Sequence, residues 1–359
     1  MKKSRFSRSS PFHFLTYLLV VGAYAALQVL QYRGELSSTL KGMLVPICAY
    51  IVMAVSLNLT VGVLGELSLG HAGFMSVGAF LGTSTAIALQ DAIPVPGLRL
   101  AVAMIVAAIF AAIAGFLIGI PVLRLNGDYL AIVTLAFGEI IKAIFNNLYL
   151  GVDAKGVHIS LLENTTNTAE DGRLIIQGPM GIGGIQKIST FTAGFVLIMI
   201  SLIVIFNLVG SRAGRAIMAI RDNPIAAQSV GVNIVKYKMM AFVVSAALAG
   251  SAGALFAMNY STVVANKFDF NTSILILVFV VLGGLGNMFG SIVAAAVLTI
   301  LPEALRPIAE YRMLLYAALL IVMMLTANHP FVKGLFNRFK RTGQIQLEPD
   351  EDETEGEAV

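Results

Sequence analysis

Long apolar runs recur along the chain, and they constrain its fold more than any other feature. Each run is about 20 residues long and rich in Leu, Ile and Ala, which is the length that an α-helix needs to cross a bilayer. Inside the hydrocarbon core a backbone has to satisfy its own hydrogen bonds, so only helices and closed barrels can span it. The alternating segments of about ten residues that typify a membrane barrel do not occur. The sequence therefore predicts an all-α polytopic membrane protein.

The balance of residue types supports this class and removes several others. Hydrophobic residues make up 57% of the chain and charged residues only 12%, too few to cover a soluble domain. Cys48 is the single cysteine, so neither an internal disulfide nor a thiolate metal cluster is expected. No Gly-x-x-x-x-Gly-Lys-Ser/Thr phosphate loop and no His-Glu-x-x-His motif occurs, and the four histidines are scattered. We therefore expect a chain that is not an enzyme and that binds no cofactor, metal or nucleic acid itself.

The charges near the N-terminus predict the orientation of the first span. Residues 1–8, MKKSRFSR, carry four positive charges before the apolar run at 11–30, which places the N-terminus in the cytoplasm. Ala23-Tyr24-Ala25 is similar to a signal-peptidase site, but the apolar run continues past it. We favour a retained first span, and cleavage would leave the remaining topology unchanged.

Two polar segments divide the later spans. Five crossings from an inside start place residues 151–189 outside, and the slight excess of acids in this segment agrees with that side. A sixth span returns the chain to the cytoplasm at residues 211–238, which we call the basic segment, and a seventh span follows. After the first span, the predicted spans to this point are 42–62, 67–89, 99–121, 128–148, 191–209 and 239–258.

The apolar run at 271–301 is too long for one ordinary span, and glycines interrupt it at 283–286. We interpret it as two shorter passes followed by a last span at 313–327, because this places the basic residues that follow inside the cell. The result is about ten membrane segments in one transmembrane domain, residues 1–341, with both termini cytoplasmic. Seven acids lie in the last twelve residues, so 342–359 is predicted to be a disordered acidic tail.

Residues 56–82 combine small residues with polar side chains at membrane depth. The glycines are explained by close helix packing, which membrane helices need because lipid is as apolar as leucine. Asn58, Glu66, Ser68 and His71 are less easily explained, since buried polar groups are costly and usually face a cavity or a partner helix. Two interpretations remain open for His71, which either lines a substrate path or is a hydrogen-bonded interfacial histidine.

A weaker version of this element recurs in the second half of the chain. Gly62-x-x-Gly65 is repeated as Gly283-x-x-Gly286, each within an interrupted apolar run. Matching interruptions in two halves are typical of internally repeated transport folds, in which broken helices line the path. The candidate residues for a translocation path are Asn58, Ser68, His71, Gly283 and Gly286.

The segment 123–142 contains a turn followed by a helix with two charges. Asn126-Gly127-Asp128 is turn chemistry, and Asp128 can cap the helix that follows. Glu139 and Lys142 are three residues apart on one helical face. A local ion pair is the preferred interpretation, and a proton relay is the alternative.

The basic segment contains a short helix with signals at both ends. Residues 212–221 are predicted to form a helix that leaves the membrane, and Asn223-Pro224 then begins a second helix as N-cap and first position. Gly231 is placed to end it. A helix this short is unstable alone in water, so we expect it to dock on a partner. The alternative is an ordinary basic loop that binds anionic lipid.

Four ordered motifs now point to a family. They are SLNLTVGVLGELSLGHAGFMSVGAF (56–80), LRLNGDYLAIVTLAFGEIIK (123–142), GRAIMAIRDNPIAAQSVGVNIVKYKMMAFVVSAALAGSAGALFA (214–257) and VLGGLGNMFGSIVAA (281–295). With these motifs, residues 40–327 resemble the permease subunits of bacterial branched-chain amino-acid ABC transporters. The long polar loop after the fifth span is similar to that of the larger of the two permease types.

The resemblance implies that residues 214–231 dock into a groove on an ATPase. Ala226-Ala227-x-x-x-Gly231 matches the importer "EAA" signature, but Ile225 stands where the signature has glutamate. Any contact made by an acid at that position is therefore in doubt. The implied coupling residues are Gly214, Arg215, Arg221, Asp222, Asn223, Pro224, Ala226, Ala227 and Gly231.

The resemblance also implies the function and the partners. We expect a subunit of an importer in the bacterial cytoplasmic membrane that moves Leu, Ile and Val. Its partners would be a second, homologous permease subunit, two cytoplasmic ATPase subunits that use ATP and Mg²⁺, an extracellular or periplasmic solute-binding protein, and membrane lipids. Import of urea or short amides is an alternative within the same architecture. An ion-coupled secondary transporter and a structural or lipid-binding scaffold are alternatives from other classes.

Overall fold

The computed structural model describes residues 11–35, 37–123, 128–153, 156–161 and 173–305, together with Ala317 and Ile321. The chain divides into two compact units, residues 1–304 and 305–359, and the helices below belong to the first. Except for those two residues, the predicted last span at 313–327 lies outside the described residues, as does the predicted tail at 342–359.

Eleven α-helices and one π-helix lie within the described residues, and they follow the predicted apolar runs closely. The π-helix, Leu59–Leu64, continues directly from α2. The α-helices are α1 Pro11–Tyr32, α2 Ser38–Asn58, α3 His71–Ala88, α4 Pro96–Val122, α5 Asp128–Asn147, α6 Phe191–Gly210, α7 Arg212–Asp222, α8 Pro224–Ser229, α9 Ile234–Ala257, α10 Phe270–Gly283 and α11 Met288–Ala304.

Seven of these segments are long and apolar enough to cross a membrane, which agrees with a polytopic membrane protein. The predicted count of about ten is not confirmed within the part of the chain that the structure describes. A shorter apolar helix, Met288–Glu303, adds to the seven. The seven segments are Phe14–Tyr32, Ser38–Leu64, Pro96–Val122, Tyr129–Asn147, Phe191–Gly210, Ile234–Ala257 and Ala265–Gly283.

The predicted interruption at 283–286 is present. Helix α10 ends at Gly283 and α11 begins at Met288. Between them Gly284 and Gly286 have φ angles of +94° and +80°, a backbone region that residues with a side chain rarely adopt. The run at 271–301 is therefore two helices.

Helices α3, α4 and α9 form the core of the described unit, and glycines bring their backbones together. A Cβ atom at Gly250 of α9 would lie 2.6 Å from the Ala107 carbonyl oxygen of α4. A Cβ at Gly78 of α3 would overlap the Gly250 backbone, and one at Gly253 would overlap the Met75 carbonyl. The packing interpretation of the small residues is confirmed here.

Helix α4 shows how the sequence separates core from lipid. Its small residues at every fourth position are buried, while its large apolar residues are exposed on the other face, where a bilayer would cover them. The buried small residues are Ala103, Ala107, Ala111, Gly115 and Gly119. The exposed set includes Ile105, Ile109, Ile113, Phe116 and Leu117.

The segment after α5 corrects the all-α prediction. Strands β1 (Leu148–Asp153), β2 (Gly156–Leu161) and β3 (Arg173–Gln177) form an antiparallel sheet in the order β2-β1-β3. In its register Leu150 lies opposite both Ile159 and Ile176. The start of β1 continues the apolar run of α5, which is why the sequence predicted one span through 148.

The two polar segments lie at opposite ends of the helical unit, as the predicted topology requires. Loop residue Gln186 accepts a hydrogen bond of 2.6 Å from Arg99 at the start of α4, and Ser189 N–H contacts Met258 O just after the end of α9. The basic segment joins the opposite end of α9, which begins at Ile234.

Candidate functional site

The basic segment leaves α6 through a tight turn. The Ser211 hydroxyl accepts a hydrogen bond from Gly214 N–H at 3.2 Å and so caps α7. A Cβ at Gly214 would overlap the carbonyls of Leu208 and Val209, so only glycine fits. Helix α7 then ends at Asp222, one residue beyond the predicted end.

Helix α8 is capped at both ends, as the sequence predicts. The Asn223 side chain accepts a hydrogen bond of 3.0 Å from Ala226 N–H, and Pro224 occupies the first helical position. At the other end Gly231 has a φ of +85°, its N–H donates to Gln228 O, and Val232 N–H donates to Ala227 O. These two bonds form a Schellman motif, which satisfies the last carbonyls of the helix.

Helix α8 and its C-cap residue expose two large apolar side chains. Ile225 and Val230 are 81% and 78% exposed, while Ala227 is buried against the unit. Ala226 is exposed and small enough to admit a close partner. Arg215 is exposed on α7, and its Nη1 donates a hydrogen bond of 3.4 Å to Gly210 O. Such a short element with large exposed apolar side chains is suited to a protein partner.

A second feature lies next to the basic segment, where α2 changes into the π-helix. Gly65 ends the π-helix with a φ of +83°, in the left-handed region. An irregular stretch then leads to His71, where α3 begins. π-helical turns are rare, and they are frequent at functional sites.

The interruption between α2 and α3, residues 59–70, is the first helix break. Arg221, at the end of α7, connects the basic segment to it. Its Nη1 donates a hydrogen bond of 3.2 Å to Gly62 O in the π-helix. Its Nε and Nη2 bind Asp222 Oδ1 at 3.1 and 3.0 Å. The aliphatic part of the arginine lies so close to Gly65 that a Cβ there would be 2.6 Å from Arg221 Cγ. The basic segment and the break therefore pack directly on each other.

The other end of the basic segment contacts the same break through an ion pair. Lys238 Nζ in α9 binds the Glu66 carboxylate just after the π-helix. The Lys238 and Glu66 side chains are only 6% and 15% exposed. A pair this well shielded is costly to separate, because each charge alone would remain buried.

The second helix break is the connection between α10 and α11, residues 284–287. Asn58 joins the first break to the second. Its Oδ1 accepts a hydrogen bond of 2.8 Å from Gly286 N–H, and its Nδ2 donates to Ser291 Oγ at 2.9 Å. A Cβ at Gly62 would overlap both Asn58 Oδ1 and the Gly286 backbone. The two glycine interruptions that the sequence matched are thus in contact. We call the following residues the junction: Asn58, Gly62, Glu66, Arg221, Lys238 and Gly286.

The other residues predicted for a translocation path, His71, Gly283 and Ser68, are not part of the junction. His71 is buried, and its Nε2 lies 2.8 Å from Ser56 Oγ, so its ring has a hydrogen-bonding partner. Gly283 packs against α11, where a Cβ would lie 2.5 Å from Gly290 C. Ser68 is buried, and its hydroxyl has no partner among the described residues. A path along these residues stays a prediction.

The charges of α5 form the predicted local ion pair. Lys142 Nζ lies 3.2 Å from Glu139 Oε2, three positions apart on the helix. Their side chains are 24% and 48% exposed. Residues 124–127, which include the predicted turn at Asn126-Gly127, lie outside the described residues.

Sequence analysis missed the role of Lys238 and the partner of Glu66. A signal was available, because Glu66 is the only acid between residues 37 and 90, and Lys238 is the last charge before the apolar part of α9. Ionisable side chains of opposite charge in or next to membrane spans usually form pairs. It also missed Ser291, whose hydroxyl gives no signal in the sequence. In the part of the chain that the structure describes, no group of three or more His, Cys, Asp or Glu side chains is arranged to hold a metal ion.

Comparison with known proteins agrees with the motifs. Residues 39–324 match the model of a family described as branched-chain amino acid transport system / permease component. The chain is 36% identical over 290 residues to the high-affinity branched-chain amino acid transport system permease protein LivM of Salmonella typhimurium and to that of Escherichia coli K12. The matches cover 77% of this chain and 66% of each relative, so the chain spans just under two thirds of their length. No solved structure matches. The chain belongs to the family of permease components of branched-chain amino acid transport systems.

Proposed function

We propose that the chain is the membrane permease subunit of an ATP-binding-cassette importer that moves branched-chain amino acids across the bacterial cytoplasmic membrane. ATP hydrolysis, with its Mg²⁺, would belong to two separate cytoplasmic subunits. A homologous second permease subunit and an extracellular or periplasmic solute-binding protein would complete the complex. Both termini would be cytoplasmic, on the same side as the basic segment.

The observation that carries the proposal is α8. In a chain of this family, a doubly capped helix of six residues stands out from the end of the helical unit with Ile225 and Val230 exposed. The chain has no phosphate loop of its own. An exposed apolar helix beside basic residues is a suitable docking element for an ATPase, which would supply the energy in trans. Because Ile225 replaces the glutamate of the importer signature, we expect this docking to rely on apolar contact.

Affinity purification of the chain coexpressed with the ATPase subunits of its system tests the docking. The wild-type chain should recover the ATPases in detergent. Ile225→Asp combined with Val230→Asp should lose them, because two charges would be buried in the interface without partners. Ile159→Asp is a matched control, since Ile159 is also exposed but lies on the sheet at the opposite end. Equal recovery by the double variant would contradict the proposal.

The substrate class rests on the family and is tested through the binding protein. Titration of the partner solute-binding protein with Leu, Ile and Val, and in parallel with urea and short amides, distinguishes the two import functions. Tight binding of an aliphatic amino acid supports the proposal. If the binding protein binds only urea or an amide, the transported substrate belongs to the alternative class.

A further inference from the structure

We infer that the Glu66–Lys238 ion pair and Arg221 are positioning residues that transmit movement of the docking helix α8 to the two helix breaks. The inference rests on the proposed function, since it needs a partner that moves α8. It goes further, because it names the side chains of this chain through which the movement reaches the membrane core. None of these residues needs to touch ATP or the transported molecule.

The first helix break is bound by residues at both ends of the basic segment. Arg221 lies before α8 and binds Gly62 O at 3.2 Å. Lys238 lies after α8 and binds Glu66. A displacement of α8 therefore pulls on the Gly62–Glu66 stretch at two points, one at each end.

These contacts resist slipping. The Lys238 side chain is 6% exposed, and that of its partner Glu66 is 15% exposed. Separating the two would leave both charges in surroundings poor in water, which costs far more than moving them together. Arg221 and Gly65 pack without any room for a side chain at position 65. The Gly62–Glu66 stretch therefore moves together with the basic segment.

The stretch leads to the second helix break. The π-helix joins Gly62 to Asn58, and the Asn58 side chain holds Gly286 N–H and Ser291 Oγ. The π-helix Leu59–Leu64 interrupts the regular α-helical hydrogen bonding of α2, and such interruptions are frequent at functional sites. Gly286, at φ +80°, lies in the short connection between α10 and α11. Movement of the stretch would thus shift the ends of α10 and α11.

Transport by the reconstituted complex distinguishes transmission from a purely structural role. The complete complex, with its permease partner, ATPases and binding protein, is placed in proteoliposomes, and both ATP hydrolysis and leucine uptake are measured. The readout is the number of leucine molecules transported per ATP hydrolysed, a ratio that loss of protein alone does not change. The variants are Lys238→Met, Glu66→Gln, the charge swap Glu66→Lys with Lys238→Glu, and the neutral double Glu66→Gln with Lys238→Met. Lys236→Met, exposed two positions before Lys238, is the matched control.

We expect the assembled single and neutral double variants to hydrolyse ATP while leucine uptake per ATP falls about tenfold. The charge swap should recover most of the wild-type ratio, and Lys236→Met should match the wild type. Arg221→Ala should lower the ratio as well, and Arg221→Lys, which keeps one donor, should lower it less.

Three outcomes would overturn the inference. One is a neutral double variant with the same leucine uptake per ATP as the wild type. Another is a charge-swap variant that assembles but does not recover the wild-type uptake per ATP. The third is failure of both double variants to assemble, which would show that the pair serves folding only. Failure of the proposed function gives a different result, because the wild-type complex itself would then show no ATP-dependent leucine uptake.

Discussion

Helix α8 lies in the chain between two residues of the junction, Arg221 and Lys238, yet the structures of α8 and of the junction are determined in opposite ways. Helix α8 is fixed by near neighbours, since its caps join Asn223 to Ala226 and Val232 to Ala227. The junction is fixed by residues 159, 172 and 228 positions apart in the chain. An exposed docking helix therefore keeps its shape from local bonds, while the breaks beneath it depend on the whole fold.

This difference predicts how each region responds to substitution. A change in α8 should affect partner binding and leave the fold intact, because its outer face touches nothing else in the described chain. A change in the junction should disturb packing between elements far apart in sequence.

Gly62→Val should prevent folding of the helical unit. The added Cβ would overlap Asn58 Oδ1 and Gly286 N, and the Gly286 backbone cannot turn aside as a flexible side chain could. We expect no monodisperse peak in size-exclusion chromatography in detergent. Gly97→Val is the control, because a Cβ at Gly97 of α4 meets nothing within 4 Å. A folded Gly62→Val protein would show that the two breaks do not pack as described.

Lys238→Met should destabilise the protein by about 3–5 kcal/mol, because it leaves Glu66 charged and poorly hydrated. Adding Glu66→Gln should recover most of this loss, since neither charge then remains. A thiol-reactive dye can follow thermal unfolding through Cys48, the single cysteine, which is buried. Equal unfolding temperatures for Lys238→Met and the wild type would mean that the pair is not shielded.

Asn223→Ala should weaken only α8, by about 1 kcal/mol, because the Ala226 N–H loses its side-chain acceptor. Hydrogen exchange should accelerate in residues 224–231, and the unfolding temperature measured at Cys48 should not change. Asn271→Ala, at an exposed position in α10, is the control. A lower global unfolding temperature would show that α8 is coupled to the core more strongly than its local bonds suggest.

Glu139→Gln should have the smallest effect, at most about 0.5 kcal/mol, since the pair with Lys142 is local and partly exposed. ATP-driven uptake by the complete complex should remain within twofold of the wild type. Loss of uptake with normal assembly would favour the proton-relay interpretation of this pair.

The sequence was sufficient for the basic segment and insufficient for the junction. Asn-Pro and a glycine eight residues after the asparagine are local signals, and the structure confirms the helix that they predict. Glycines at Gly62 and Gly283–Gly286 predicted two breaks, but not that the breaks meet, because contact across 228 positions leaves no local pattern. The sheet was missed because β1 continues the apolar run of α5.

Uptake of radiolabelled leucine into proteoliposomes distinguishes an ATP-driven importer from an ion-coupled transporter. We expect ATP-dependent uptake when the chain is reconstituted with its permease partner, ATPases and binding protein, and loss of that uptake in the Ile225→Asp, Val230→Asp variant. We expect no uptake by the chain alone under a pH gradient. Accumulation of leucine by the chain alone, driven by the pH gradient, would overturn the proposed function and establish an ion-coupled transporter instead.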